Sequence, residues 1–353
     1  MRNKTVDIAK GLGILLIVFG HNWIVLHGKG ELFRIIFSFH VPLFFFLSGV
    51  FLKETESLPS LLKSKTDSLL KPYFVVSCGL GLANAVAGKT SLGYFVGIFY
   101  STGSTIDWTP LWFLPHLFVV IIFSWLTVKI FTNNLLNRKL LALVPGLFLL
   151  SGVLTIQMFW LRPLSDFGGP YVLFGKRALL PGLPFSIDII LVSSAYLLAG
   201  HGMSKYVQRL TFNPFLFVCS SSIFFALHWF FDETMDLNLR IYGNLVISSL
   251  QAFSGIYIVL SISSLFSSFR RFGSVVAYVG SGSMFILIFH WFIMHYTNVL
   301  FDAHAPSIPY INSFFAFLLG VGIPLILLEI TKKQWLLSAL LLPRKSGRKL
   351  LPI

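Results

Sequence analysis

Long apolar runs recur along almost the whole chain, and their length narrows its possible folds more than any other feature. Ten can be traced, at about 7–27, 33–52, 72–100, 110–131, 141–161, 185–202, 214–231, 243–266, 275–300 and 313–330. A helix rises 1.5 Å per residue, so about 20 apolar residues cross a hydrocarbon core of about 30 Å. Inside lipid the backbone must satisfy its own hydrogen bonds, which a helix does within itself. The expectation is an all-α polytopic membrane helix bundle of about ten transmembrane helices. Composition agrees: 56% of the residues are hydrophobic and only 11% charged, whereas soluble domains carry about a quarter charged residues. The Gly-rich middle of 72–100 leaves that run open to a bend.

Bases are confined to the short loops. With the N-terminus in the cytoplasm, 19 of the 27 Lys and Arg lie on that side, which sets the expected orientation. Both termini are then cytoplasmic. The formal charge of +14 is therefore read as a topology signal in a lipid bilayer, with no nucleic-acid partner implied. Residues 1–331 form the expected membrane domain, and 332–353 a basic amphipathic cytoplasmic tail anchored at the interface. Cys78 and Cys219 fall inside apolar runs, as buried small hydrophobes would. The N-terminal run holds Asp7 and Lys10 and lacks a small-residue cleavage site, so it is expected to remain as the first span. Oligomeric state stays open, a homo-oligomer included.

That first span reads DIAKGLGILLIVFGH over residues 7–21. Lys10 and His21 are eleven residues apart, close to three helical turns, and Asp7 shares nearly the same face. Ionisable groups at membrane depth face a protein interior or a wet cavity and mark functional sites. With the expected topology, His40, His116, His228, His290 and His295 fall in the same outer half of the bilayer as His21, and Asp188 opens a span at the outer edge. The alternatives for these histidines are cavity lining, hydrogen bonding between helices, and interfacial placement, which suffices for His27 and His304. Trp108, Trp112 and Tyr171 either stack on a sugar ring or anchor the interface. No metal is expected, since no His-x3-His or Cys/His ligand spacing occurs on one helix apart from the loosely spaced His290 and His295.

Four motifs, in order, resemble one family. DIAKGLGILLIVFGH at 7–21, FSFHVPLFFFLSGVFLK at 37–53, LWFLPHLF at 111–118 and VGSGSMFILIFHWFIMHY at 279–296 are similar to segments of the acyltransferase-3 family. These are integral membrane enzymes that modify sugars, lipids and envelope polymers. The family's basic-x10-His pair falls on Lys10 and His21. Most members carry Arg at the first position, and the Lys form resembles the fucose 4-O-acetylase-like subgroup. The arginine pair of the family's second cytoplasmic loop is absent, and Lys63, Lys65 and Lys71 stand there instead. The resemblance implies an O-acetyltransferase in a bacterial inner membrane, with acetyl-CoA as donor and a sugar or lipid-linked glycan as acceptor.

Such chemistry needs a base for the acceptor hydroxyl, a site for the oxyanion and alignment of two substrates. The expected roles are His21 as general base or acyl carrier, Lys10 attracting the donor phosphates, and Asp7 pairing with Lys10. His40, His116, Trp112, Asp188, Ser283 and His290 are expected on the substrate side, and Lys63, Lys65 and Lys71 on the coenzyme A side. Ser283 and His290 are two turns apart, but serine is common at helix contacts, so a nucleophile–base pair is not favoured. The rival readings are a glycan transporter or flippase, and a partner of an export complex. A transporter often shows internal repeats or paired broken helices, and the sequence displays neither.

Overall fold

Asn3 starts the first helix, its Oδ1 accepting the Val6 N–H at 3.1 Å, a side-chain cap on an orphan backbone donor. The computed structural model describes residues 3–28, 30–89, 92–132, 139–160, 171–173, 176–178, 182–304 and 309–344. In chain order the helices are α1 (Lys4–Gly20), α2 (Trp23–Gly28), α3 (Glu31–Phe37), α4 (His40–Val50), α5 (Leu58–Lys65), α6 (Lys71–Val86), α7 (Leu92–Tyr100) and α8 (Phe113–Thr132). There follow α9 (Val144–Trp160), α10 (Ile190–Gly202), α11 (Ser204–Gln208), α12 (Pro214–Phe230), α13 (Leu245–Ser268), α14 (Arg270–Ser281), α15 (Ser283–His304), α16 (Pro309–Lys333) and α17 (Trp335–Leu341). The described residues also hold 3-10 turns at Thr109–Trp112 and Pro184–Ile189 and two antiparallel strand pairs, β1 (Tyr171–Leu173) with β2 (Lys176–Ala178) and β3 (Met235–Asp236) with β4 (Ile241–Tyr242).

Seven helical stretches among the described residues are long and apolar enough to cross a membrane. They are Glu31–Val50, Leu58–Val86, Thr109–Thr132, Pro184–Gly202, Leu245–Ser268, Ser283–Phe301 and Tyr310–Lys333. The other three expected runs fall on α1, α9 and α12, which are shorter. Four expected boundaries change. The run 7–27 is not one helix: α1 ends at His21, and Asn22 turns the chain, its Oδ1 accepting Ile24 N–H and its Nδ2 donating to Ser313 O. The run 33–52 breaks at Phe39 (φ −144°, ψ −12°) and restarts at His40. The third run begins earlier and stops sooner, because α5, a π-helical turn at Thr66–Leu70 and α6 form one rod and α7 is separate. The ninth begins at Ser283, since α14 is a helix of its own.

The N-terminal helix is central. It packs against α14, α13, α15 and α4, so a helix carrying Asp7 and Lys10 is enclosed by protein rather than lipid. Without water to expel, membrane helices associate through close packing at small residues. A Cβ on Gly280 would meet Asp7 O at 1.9 Å, and one on Gly11 would meet Val276 O at 2.2 Å, which fixes α1 against α14. The same reciprocity joins α4 to α10, where Gly200 approaches Phe46 O and Gly49 approaches Leu197 O. Around these crossings Phe45, Phe46, Leu47, Tyr196 and Leu197 form the buried core.

One end of the bundle gathers the chain ends. Asn3 Nδ2 donates to Gln208 O and Lys4 Nζ to Ser267 O. From the other terminus, Leu342 O accepts from Lys71 Nζ at 2.6 Å, and Asp67 accepts from the Arg344 backbone. The expected tail thus lies along α6 as far as residue 344, and 345–353 fall outside the described residues. Gly200→Ala is expected to destabilise the bundle by about 1–3 kcal/mol, the usual cost of overpacking. Gly202→Ala, with nothing within 4 Å, serves as control. Thermal unfolding in detergent checks both, and equal melting temperatures would remove the crossing from the account.

Candidate active site

Both helix breaks face one space. Irregular backbone at membrane depth is tolerated where it lines a cavity. Here the C-terminal end of α1 presents His21 and the first residue of α4 is His40, and both line a cavity of about 480 Å³. Its other walls are mainly apolar, with aromatic surfaces from Phe33, Phe37, Trp112 and Trp291, and the β3–β4 hairpin closes one side with Asp236 and Asn238. A second cavity of about 230 Å³ is lined by Lys10, Ser48, Ser283 and otherwise apolar residues. Val41, Pro110 and Trp112 line both, so they form the wall or waist between the two. Lys10 and His21 are therefore on opposite sides of that waist, on one helix and roughly 16 Å apart along its axis. The Lys10 ammonium lies 5.3 Å from the ring centroid of Phe51.

The tautomer of His21 follows from its partners. His290 Nδ1 lies 2.8 Å from Ile286 O and 3.0 Å from Leu287 O. Carbonyl oxygens only accept, so Nδ1 of His290 carries the proton and its Nε2 is a lone pair. That Nε2 is 3.0 Å from His21 Nδ1, which therefore donates, leaving His21 Nε2 bare. The two rings lie 5.2 Å apart at 16°, and Trp291 sets its edge against His21 at 5.5 Å. His290 itself is fully buried, whereas His21 keeps access to the cavity. The arrangement is a base held by an orienting partner, which is in turn held by backbone. His40 repeats half of it: Nδ1 donates to Ile36 O at 2.9 Å, which leaves a second imidazole lone pair in the same cavity wall.

Other expected site residues are placed elsewhere. Both nitrogens of His116 are engaged, Nδ1 donating to Phe185 O at 3.0 Å and Nε2 accepting from Ser193 Oγ at 2.8 Å. Its buried ring lies outside both cavity linings and stacks on Trp112 at 5.4 Å, bracing the waist. Asp188 also lies outside both linings, where it accepts from Leu183 N and forms a buried ion pair with Arg240 at 2.9 Å. Ser283 lines the smaller cavity, two turns from His290 on the same helix, and His290 itself is in neither lining. Asp7 borders neither cavity, and its backbone is the surface on which Gly280 packs. Lys71 bonds Asp67 and the Leu342 carbonyl, while Lys63 is exposed and Lys65 half-buried on the same rod. The side chains of His27, Tyr171 and His304 lie outside the described residues.

Asp236, Asn238 and Trp291 belong to the larger cavity without having been picked out by pattern. Asp236 sits in a short polar loop between two apolar runs, where a carboxylate looks solvated. Burial pushes its carboxyl up to about 6, against the opposing pull of backbone N–H bonds from Leu239 and Asn238. Arg240 ties the hairpin down, bonding Asp188, Ser186 Oγ at 3.1 Å and Asn238 O at 2.5 Å. Phe185, Ser186 and Arg240 all have positive φ (57°, 54° and 59°), a strained conformation for L-residues that tends to collect at functional sites. No group of three or more His, Cys, Asp or Glu able to hold a metal occurs among the described residues.

Residues 3–329 match a family model described as an acyltransferase domain. No curated protein and no solved structure matches the chain. Removing one partner from a buried ion pair costs about 3–5 kcal/mol, so Arg240→Ala is expected to lower the unfolding temperature and expose the hairpin to protease. An unchanged cleavage pattern at 232–242 would show that the clasp does not hold it.

Proposed function

The chain belongs to the acyltransferase-3 family and is a membrane acyltransferase, and on that footing we propose that it is an O-acetyltransferase of the fucose 4-O-acetylase-like kind, acting on a sugar or lipid-linked glycan. The bare Nε2 of His21, fixed by the His290 bond at 3.0 Å, is the observation that carries this reading. Acetyl-CoA enters past Lys10 and the apolar lining of the smaller cavity, bringing its thioester to the waist. The acceptor enters the larger cavity from the opposite side of a bacterial inner membrane, with both termini and the loop lysines in the cytoplasm.

In the direct route His21 Nε2 takes the proton of the acceptor hydroxyl as its oxygen attacks the thioester carbonyl. The tetrahedral adduct then collapses, expelling the coenzyme A thiolate, which recovers the proton from the imidazolium. In the covalent route the same nitrogen attacks the thioester carbonyl and expels the coenzyme A thiolate; the acceptor hydroxyl then attacks the acetyl-imidazolium, freeing His21, and its proton goes to the thiolate. Both need Nε2 unprotonated and both use His290 to keep it so. Lys10 supplies a cation near the donor phosphates, a point charge rather than the planar fork of arginine. Lys63, Lys65 and Lys71 extend the same positive surface for coenzyme A. Asp7 supports Lys10 from one turn away. The other spans of the ten hold this axis.

The helix breaks at His21–Asn22 and Ser38–Phe39 favour one alternative, a glycan transporter, because transporters build sites from discontinuous helices. Here the breaks fall in adjacent spans and flank a base, a geometry better suited to transfer. Purified protein with labelled acetyl-CoA separates the two. Acetyl labelling or hydrolysis supports the enzyme, and glycan movement without either supports the transporter. His21→Ala is expected to lose about 10²- to 10⁴-fold in transfer, the range for a general base. His290→Ala is expected to lose about 10- to 100-fold, the scale of removing an orienting partner. Lys10→Gln is expected to raise the KM for acetyl-CoA more than it lowers kcat. Near-native turnover in both histidine variants would reject the base and carrier roles alike.

A further inference from the structure

The β3–β4 hairpin forms a wall of the larger cavity to which the chemistry above gives no role. Its geometry is that of a built site. Asp236 pairs with Ile241 across the strands, and the turn closes with Arg240 N–H on Leu237 O at 3.2 Å. Asp236 Oδ1 accepts the Leu239 N–H at 3.1 Å, which fixes the carboxylate and leaves Oδ2 outside that bond. The clasp of Arg240 on Asp188 and Ser186 holds the tip. Tyr242 OH anchors the returning strand to Tyr196 OH at 2.7 Å and Ser249 Oγ at 2.8 Å. At the base Glu233 accepts the Asn244 N–H at 2.6 Å. A carboxylate held this firmly is preorganised, and the Arg240 guanidinium, clasped on Asp188 and Ser186, also favours its charge.

The lining states what would satisfy it. His21 Nε2, His40 Nε2 and Asp236 Oδ2 are all acceptors, and Asn238 Oδ1 is buried without a hydrogen-bond partner. The rest of the lining is mainly apolar, with flat aromatic surfaces from Phe33, Phe37, Trp112 and Trp291 beside aliphatic residues, and Thr109 and Thr234 add hydroxyls. A ligand rich in hydroxyl donors with an apolar face complements both parts, and about 480 Å³ lies within the roughly 300–1,000 Å³ of small-molecule sites. We propose that Asp236 is the acceptor-binding carboxylate, taking a hydroxyl hydrogen bond from a pyranose seated between it and the aromatic wall, so that another hydroxyl of the ring reaches His21 Nε2. This rests on the acetyltransferase reading above. Burial makes the empty carboxylate costly even beside the Arg240 charge, and hydroxyl donors relieve that cost.

Asp236→Asn separates binding from support. The carboxamide oxygen still accepts from Leu239 and preserves the turn, but the charge is gone. Glycans from cells producing wild type, Asp236→Asn or His21→Ala are compared by mass for acetyl increments, and labelled acetyl-CoA binding is measured on the same membranes. For Asp236→Asn the expectation is a loss of about tenfold or more in glycan acetylation, the weight of one charge-assisted hydrogen bond, with acetyl-CoA binding and melting temperature unchanged. Acetylation equal to wild type would overturn the assignment. So would a parallel loss of acetyl-CoA binding, which would place Asp236 in the donor path or the fold. Wild-type cells without acetyl increments, or wild-type membranes that bind no acetyl-CoA, would instead remove the acetyltransferase reading and this assignment with it.

Discussion

A single hydrogen bond between two imidazoles decides which nitrogen of His21 can react. His290 is tied to its own helix through Ile286 and Leu287, and this forces a lone pair toward His21. Reverse that bond and the cavity faces an N–H donor in place of a base. The helices around it serve the same geometry. Close glycine crossings hold α1 against α14 and α4 against α10, and Gly13 of α1 seats against Leu43 and Phe44 of α4, which keeps those two helices together. His21, His40 and His290 come from three separate helices, and only tight packing keeps their rings within hydrogen-bonding and stacking reach.

The bilayer explains why the site lies where helices stop. A continuous helix satisfies its backbone but cannot turn a side chain along its own axis into a cavity. Ending α1 at His21 and starting α4 at His40 does so, at the cost of orphaned backbone groups. Asn22 meets part of that cost by bonding Ile24 N–H and Ser313 O. Behind the cavity lining, the strained turn at Phe185–Ser186 is held by His116 and Arg240. Polar residues divide accordingly into those that hold the shape and those that face the space.

The apolar runs were readable because hydrocarbon thickness imposes a length, and their positions lie close to the helices. Lys10 and His21 stood out because charge and imidazole are expensive in lipid. The break at Phe39 has a local cause in Pro42, which offers no N–H to the Ser38 carbonyl, whereas the turn at Asn22 has a tertiary one in its bond to Ser313. His290 was visible as a polar residue, but its partner is 269 positions away and helix rotation is not written in spacing. His116 shows the opposite failure. It carries the same residue type at a similar depth as His21, yet its nitrogens are used by Phe185 and Ser193. Asp236 escaped notice because loop carboxylates are usually solvated, and only the folded hairpin brings it into the cavity wall.

The most direct measurement is ¹⁵N NMR of histidine-labelled full-length protein, with His21 and His290 assigned by their glutamine variants. At neutral pH both rings are expected as neutral tautomers carrying the proton on Nδ1, with scalar or dipolar coupling across the His21–His290 contact. A proton on Nε2 of His21, or no coupling between the two rings, would contradict the account at its base.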